Sequence, residues 1–195
     1  MNYKYVTGDN LEITSSGWSD GTVLQDIYPD SSFVSGVENP QSMKMVPIIR
    51  DQKIYAKYTF EKRFEGGPGL VHGGILSTVL DEMMGYATVT HNLWCVTANL
   101  EVNYRSPCPV EEEFELSAWV TRIDEKKIYT ESIIFSGENL HVESSGLFIN
   151  LGQDRAQTFF IADKTETIAL YGLSRESISL DCLLNRFSSS LLRPD

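Results

Sequence analysis

A chain of 195 residues with 42% hydrophobic residues has room for one domain with extensions and enough apolar surface for a sizeable core, which excludes global disorder. A formal net charge of −11 argues against nucleic acid or an anionic membrane as a principal partner, while leaving room for a local basic patch that holds a phosphate-bearing ligand. The 3 cysteines, Cys95, Cys108 and Cys182, are odd in number and lack paired spacing, which fits a reducing cytoplasm better than a disulfide scaffold.

The opening stretch MNYKYVTGDNLEITSSGW has no apolar run, so no signal peptide or membrane anchor is expected there. No other stretch approaches the length of a membrane span, and a soluble cytoplasmic protein is expected. Residues 1–35 are polar, contain glycine and serine, and are weakly periodic; they are expected to form an irregular leader. Residues 36–152 are the expected domain. Within it, Ile54–Phe60 alternates β-formers with polar residues and predicts a strand. The loop RFEGGPG follows, with Pro68 and its glycines opposing regular structure.

From Gly73 to about Val89 the pattern is helical. Apolar pairs recur at Ile75-Leu76, Val79-Leu80 and Met83-Met84, with Ser77-Thr78 and Asp81-Glu82 between them. A helix apolar around so much of its girth should be enclosed. Strand-like runs then occupy Trp94–Arg105, Glu113–Ile123, Lys127–Ser136 and Leu140–Leu151, separated by SPCPVEE, DEK and GEN. Gaps this short suit antiparallel neighbours. A strand, a buried helix and an antiparallel meander predict an α+β architecture with the helix packed on a curved sheet. The extension 153–195 changes character: Leu180, Leu183, Leu184, Phe187 and Leu191 fall at helical spacing and predict an amphipathic terminal helix.

The chemistry concentrates at the helix start. Adjacent glycines, Gly73 and Gly74, are poor helix formers, each costing about 1 kcal/mol against alanine in a helix interior. At a helix start they leave bare N–H groups, backed by the positive end of the dipole, open to an electron-rich group such as a carbonyl. Farther along, Asp81 is a carboxylate in an apolar helix, costly unless it has a partner or a task. Gly74, Ser77, Thr78, Asp81 and Gly85 form a stripe of small residues around it, suited to close approach by a helix or a ligand. Eight residues separate Gly73 from Asp81, a rise of about 12 Å. If both groups serve one reaction centre, they are expected to come from two chains of a symmetric homodimer.

The pattern V-H-G-G-x6-D-E-x-M-G, followed by T-A-N-L-E-V-N-Y-R-S-P (Thr97 to Pro107), resembles the hotdog-fold acyl-CoA thioesterases of the PaaI/4HBT type, in particular the THEM4/THEM5-like branch. The likeness runs over roughly residues 30–151, a size appropriate to a single domain. It implies a long helix wrapped by an antiparallel sheet, assembled as homodimers or dimers of dimers. It also implies hydrolysis of acyl-CoA to free acid and CoA with no metal or organic cofactor. Carried over, the Gly73 N–H would serve as oxyanion donor and His72 would brace the turn. Asp81 of the partner chain would act as general base or nucleophile, and Thr97 would help place the acid or the water. Gly74, Ser77, Arg105 and Ser106 are the expected substrate contacts.

The chain departs from the pattern in places. FVSGVENPQSMKM resembles a segment reading F-V-C-G-x-x-N-P-x-G-L, but Ser35 replaces the cysteine and Ser42 the glycine. Gly66 stands where some relatives have an asparagine six residues before the histidine. Glu82, off the small-residue stripe, is expected to be solvated or to face the sheet. His91 and His141 lack metal-ligand spacing, and Cys95 and Cys108 lack a visible activating partner, so all four are expected to be structural. A non-catalytic acyl-CoA-binding or assembly hotdog protein is the second functional reading. A hotdog enoyl-CoA hydratase or dehydratase is the third, although His72 with Asp81 does not supply that acid–base pattern well.

Overall fold

The computed structural model describes residues 19–25, 28, 30–91 and 93–152; the expected terminal helix lies outside them. In chain order the elements are β1 (Ile48–Arg50), β2 (Lys53–Thr59), α1 (Gly73–Val89), β3 (Cys95–Tyr104), β4 (Glu113–Asp124), β5 (Lys127–Ser136) and β6 (Asn139–Asn150). They form one six-stranded sheet in the order β1-β2-β4-β5-β6-β3, antiparallel throughout. Strict alternation along β4 and β5 turns every second residue inward. Leu116, Ala118, Val120, Ile128 and Ile134 thereby meet Leu76, Val79, Leu80, Met83 and Met84 of α1 in one core. Burying each large aliphatic side chain contributes about 2 kcal/mol.

Two features depart from the expected layout. The short β1, with no periodicity to announce it, is turned onto β2 at Asp51 and Gln52, both with positive φ, the geometry of a two-residue hairpin whose twist matches the strands. The sheet is also not a simple meander after the helix. β3 pairs with β6, while β4 lies between β2 and β5. Residues 105–112 therefore carry the chain from one edge of the sheet to its interior. Their backbone is held by other loops: Arg105 and Ser106 donate to His141 O, Val110 to Gly69 O and Glu111 to Phe60 O. Short length alone favours sequential pairing, but these distant carbonyls redirect the segment.

The region before residue 48 contributes to the core despite lacking regular structure. Leu24, Val34, Ser35, Met43 and Met45 are all buried, and Val23 bridges to Ile48 beside β1. On the opposite side, among the described residues, β3 is an edge with only β6 as neighbour. Its residues 96–99 and 101 are exposed on both faces, unlike the alternating β4 and β5.

Candidate active site

The loop before α1 is held tightly enough to fix where the helix begins. His72 N–H donates to Phe64 O and Val71 N–H to Cys108 O. Gly66 lies so close to His72 that a Cβ there would meet the His72 Cα at 2.8 Å. An asparagine at this position would require the backbone to move, which gives a local reason for glycine.

His72 is the N-cap of α1, and its Nδ1 accepts the Gly74 N–H at 2.9 Å. Because Nδ1 accepts, the neutral imidazole carries its proton on Nε2. The ring is exposed, so Nε2–H is available as a donor toward a ligand. The two peptide groups at the helix start can be accounted for one by one. His72 O accepts from Ile75 and Leu76 N–H. Gly73 O accepts from the hydroxyls of Ser77 (3.1 Å) and Tyr104 (2.9 Å). Gly74 N–H is taken by His72. Of these helix-start groups the Gly73 N–H has no acceptor among the described residues, the orphan donor that a helix start presents to an anion or oxyanion.

Two turns along, the half-buried Asp81 accepts the Thr97 hydroxyl on Oδ1 at 2.8 Å. Oδ2 accepts nothing from the described residues. Burial pushes the Asp81 carboxyl up from the ordinary aspartate range, and the Thr97 hydrogen bond pulls part of the way back. The strand β3 thus braces both parts of the site: Thr97 at the acid, and Tyr104 at the helix start. A bulge between Thr97 and Asn99 sits directly at the acid, where bulges commonly re-aim a side chain.

The small-residue stripe does not act as one surface. Ser77 is engaged by Tyr104 (2.7 Å), and Thr78 bonds back to Gly74 O (2.8 Å). Gly85 is covered from within the same chain, since a Cβ there would meet the Tyr28 hydroxyl at 2.2 Å. Arg105 and Ser106 directly follow β3, and both backbone N–H groups donate to His141 O. Arg105 pairs with Glu143, Nε lying 3.0 Å from Oε1.

Glu82 is neither solvated nor turned to the sheet, contrary to expectation. Ser32 donates to its Oε2 (2.8 Å) and Ser35 to its Oε1 (2.5 Å), while Tyr86 donates to Ser35 (2.7 Å). Burial raises the Glu82 carboxyl, the Ser35 and Ser32 hydroxyls lower it, and the charge of Asp81 adds a further upward push. Ser35 therefore has a defined structural partner. Sequence reasoning missed this network because Glu82 and Ser35 are 47 residues apart. Tyr104 was visible only as a letter in the strand-end motif.

The remaining candidates are structural. Buried His141 lies 2.6 Å from Pro107 O through Nδ1 and 3.0 Å from the Asn139 amide through Nε2. Both ring nitrogens are thereby engaged within the fold. Burial pushes both the Cys95 and Cys108 thiols up to about 11, which suppresses the nucleophilic thiolate. No group of three or more His, Cys, Asp or Glu among the described residues could hold a metal ion. No helix among them is long and apolar enough to cross a membrane.

Residues 68–142, from the glycine loop into the start of β6, match the thioesterase superfamily model (4HBT). The chain is 36% identical over 89 residues to the acyl-coenzyme A thioesterase THEM4 of Xenopus laevis, covering 45% of this chain and 40% of that protein. It is 27% identical over 110 residues to THEM4 of Rattus norvegicus, covering 55% of this chain and 47% of that one. The chain thus spans less than half the length of these relatives. A solved thioesterase superfamily protein superposes with a TM-score of 0.60 at 28% identity, covering 62% of this chain and 61% of that one. One helix packed on a six-stranded antiparallel sheet is the hotdog fold of solved thioesterases, and the part of the chain similar to the thioesterase superfamily contains both the glycine helix start and Asp81.

Proposed function

We propose that this protein hydrolyses an acyl-CoA thioester to the free acid and CoA, at a site built from the helix start of one subunit and Asp81 of a second. The observation that carries the proposal is the Gly73 N–H, the orphan donor of the helix start, held through Tyr104 to the same edge strand whose Thr97 holds Asp81. The acyl-CoA thioesterases named THEM4 share this part of the sequence at modest identity. That likeness supplies the substrate class.

In this reading the thioester carbonyl oxygen accepts from Gly73 N–H, with His72 Nε2–H as a second donor. Water held on the free Asp81 Oδ2 attacks the carbonyl carbon as Asp81 takes its proton. The tetrahedral oxyanion is stabilised by the Gly73 N–H, a type of contact whose loss typically costs about 10²–10³ in rate. Collapse breaks the C–S bond, and the CoA thiolate leaves and is protonated. Asp81 suits the base because burial raises its proton affinity while Thr97 fixes one oxygen and leaves the other to water. Arg105, released from Glu143, and the Ser106 hydroxyl are assigned to the CoA phosphates.

The second copy follows from distance and from β3. The rise of about 12 Å between Gly73 and Asp81 exceeds the reach of one carbonyl and one water. Among the described residues, the strand beside Asp81 has an unpaired edge with Val96 and Tyr104 exposed. Edge-to-edge pairing of β3 with its symmetry mate would remove that edge.

Release of free thiol from a panel of aliphatic and aromatic acyl-CoAs tests the assignment. Single turnover in ¹⁸O-water should place the label in the first acid formed, as direct attack by water requires. Tight acyl-CoA binding with no thiol release from any member of the panel would replace hydrolysis with a binding role.

A further inference from the structure

We infer that Tyr104 is a positioning residue for the oxyanion donor, a role resting on the hydrolysis reading above. Two consecutive glycines have more backbone freedom than any other pair, and a helix start frays readily. A donor there is useful in catalysis only if its direction is fixed before the charge develops. Something outside the helix must therefore hold Gly73.

The geometry assigns that task to the end of β3. The peptide joining Gly73 to Gly74 is gripped at both of its polar groups. Its N–H goes to His72 Nδ1 (2.9 Å), and its C=O receives the Tyr104 hydroxyl (2.9 Å) and that of Ser77 (3.1 Å). The Tyr104 and Ser77 hydroxyls also lie 2.7 Å apart. Whichever of the two donates to the other, at least one hydroxyl proton remains for the Gly73 carbonyl. The Tyr104 ring lies flush against Gly73, where a Cβ would meet its Cζ and Oη at 3.2 Å. The absent side chain of Gly73 thus makes room for this tyrosine.

The 72–73 peptide is held through His72 O by the Ile75 and Leu76 N–H, so clamping the 73–74 peptide as well limits φ and ψ of Gly73 and the aim of its N–H. Ser77 alone, on the helix itself, moves with the helix start and cannot anchor it. Tyr104 belongs to the sheet, and through β3 it ties the oxyanion donor to the strand that orients Asp81.

The test is Tyr104→Phe, which keeps the ring and removes the hydroxyl, in otherwise intact protein. Protein labelled with ¹⁵N-glycine reports the Gly74 amide, whose proton His72 Nδ1 accepts. Its hydrogen exchange should accelerate about tenfold, the loss of one net hydrogen bond. In parallel kcat should fall about tenfold, with KM within about twofold of wild type, since an aimed oxyanion donor acts mainly on the transition state. Unchanged glycine exchange overturns the inference whatever happens to kcat. Faster exchange with wild-type kcat overturns it as well. A wild-type protein that cleaves no thioester removes the hydrolysis reading, and the exchange comparison alone then decides whether Tyr104 fixes Gly73.

Discussion

Asp81 and Glu82 are neighbours on α1, half-buried, and pushed upward in proton affinity by the same cause, yet their surroundings assign them opposite roles. Glu82 receives hydroxyls on both oxygens from the segment Ser32–Ser35, with Tyr86 behind them. Its acceptor capacity is spent on holding the upstream chain against the helix. Asp81 receives one hydroxyl, from Thr97, and faces an open strand edge. A carboxylate saturated by its own fold is a fastener. One oriented on one oxygen and vacant on the other is placed for proton transfer.

Exchanging the acids separately should therefore separate activity from stability. The largest effect is expected for Asp81→Asn, a fall in kcat of about 10²–10⁴ with little change in Tm, because an uncharged isostere suits a desolvated site. Equal loss of thermal stability would show that Asp81 too is a fastener. Glu82→Ala should do the reverse. It strands the Ser32 and Ser35 hydroxyls, and unfolding in urea should show a loss of about 3 kcal/mol. Residual folded protein should retain turnover within a few-fold of wild type.

The pH dependence of stability sharpens the contrast. Burial raises the folded-state affinity of Glu82 for its proton above that of the unfolded chain. The stability it contributes is fully present below the ordinary glutamate range and is lost as pH rises through the folded value. Glu82→Gln removes this titration while keeping most of the shape. Urea unfolding between about pH 4 and pH 8 should show that the variant gains stability relative to wild type as pH rises. Parallel curves would mean that Glu82 is no more desolvated in the fold than outside it.

Much of this contrast was hidden in the sequence, for a definable reason. The helix from Gly73, its N-cap histidine and the strands β4 to β6 are local features, carried by periodicity and capping. The spacing of Gly73 and Asp81 follows from helical rise alone. Ser35–Glu82 and Tyr104–Gly73 are side-chain meetings between segments far apart in sequence, set by where loops pass over the helix. The order of strands was misjudged for the same reason, since the carbonyls that redirect residues 105–112 belong to residues 60, 69 and 141. Tyr28 over Gly85 shows the limit well. Gly85 signals that something comes close, and only the fold says what.

Smaller effects refine the open side of the comparison. Thr97→Val removes the hydroxyl that lowers the Asp81 carboxyl, so Asp81 should hold its proton to higher pH. The acid limb of the kcat/KM profile should move upward, and activity near neutrality should fall about fivefold, the worth of one hydrogen bond. An unmoved limb would mean that another group sets it.

The smallest effect is expected at Arg105. Its ion pair with Glu143 is exposed, the side chains retaining 55% and 36% of their accessibility, and contributes at most about 1 kcal/mol to stability. A pair that weak can be exchanged for a phosphate at little cost. Arg105→Ala should raise the KM for acyl-CoA a few-fold and leave Tm unchanged, whereas Glu143→Gln, by freeing the guanidinium, should lower KM. Both shifts should shrink as salt is added, because exposed charges are screened over about 8 Å at physiological ionic strength. If neither variant alters KM at low salt, Arg105 serves only its glutamate, and the CoA phosphates are held elsewhere.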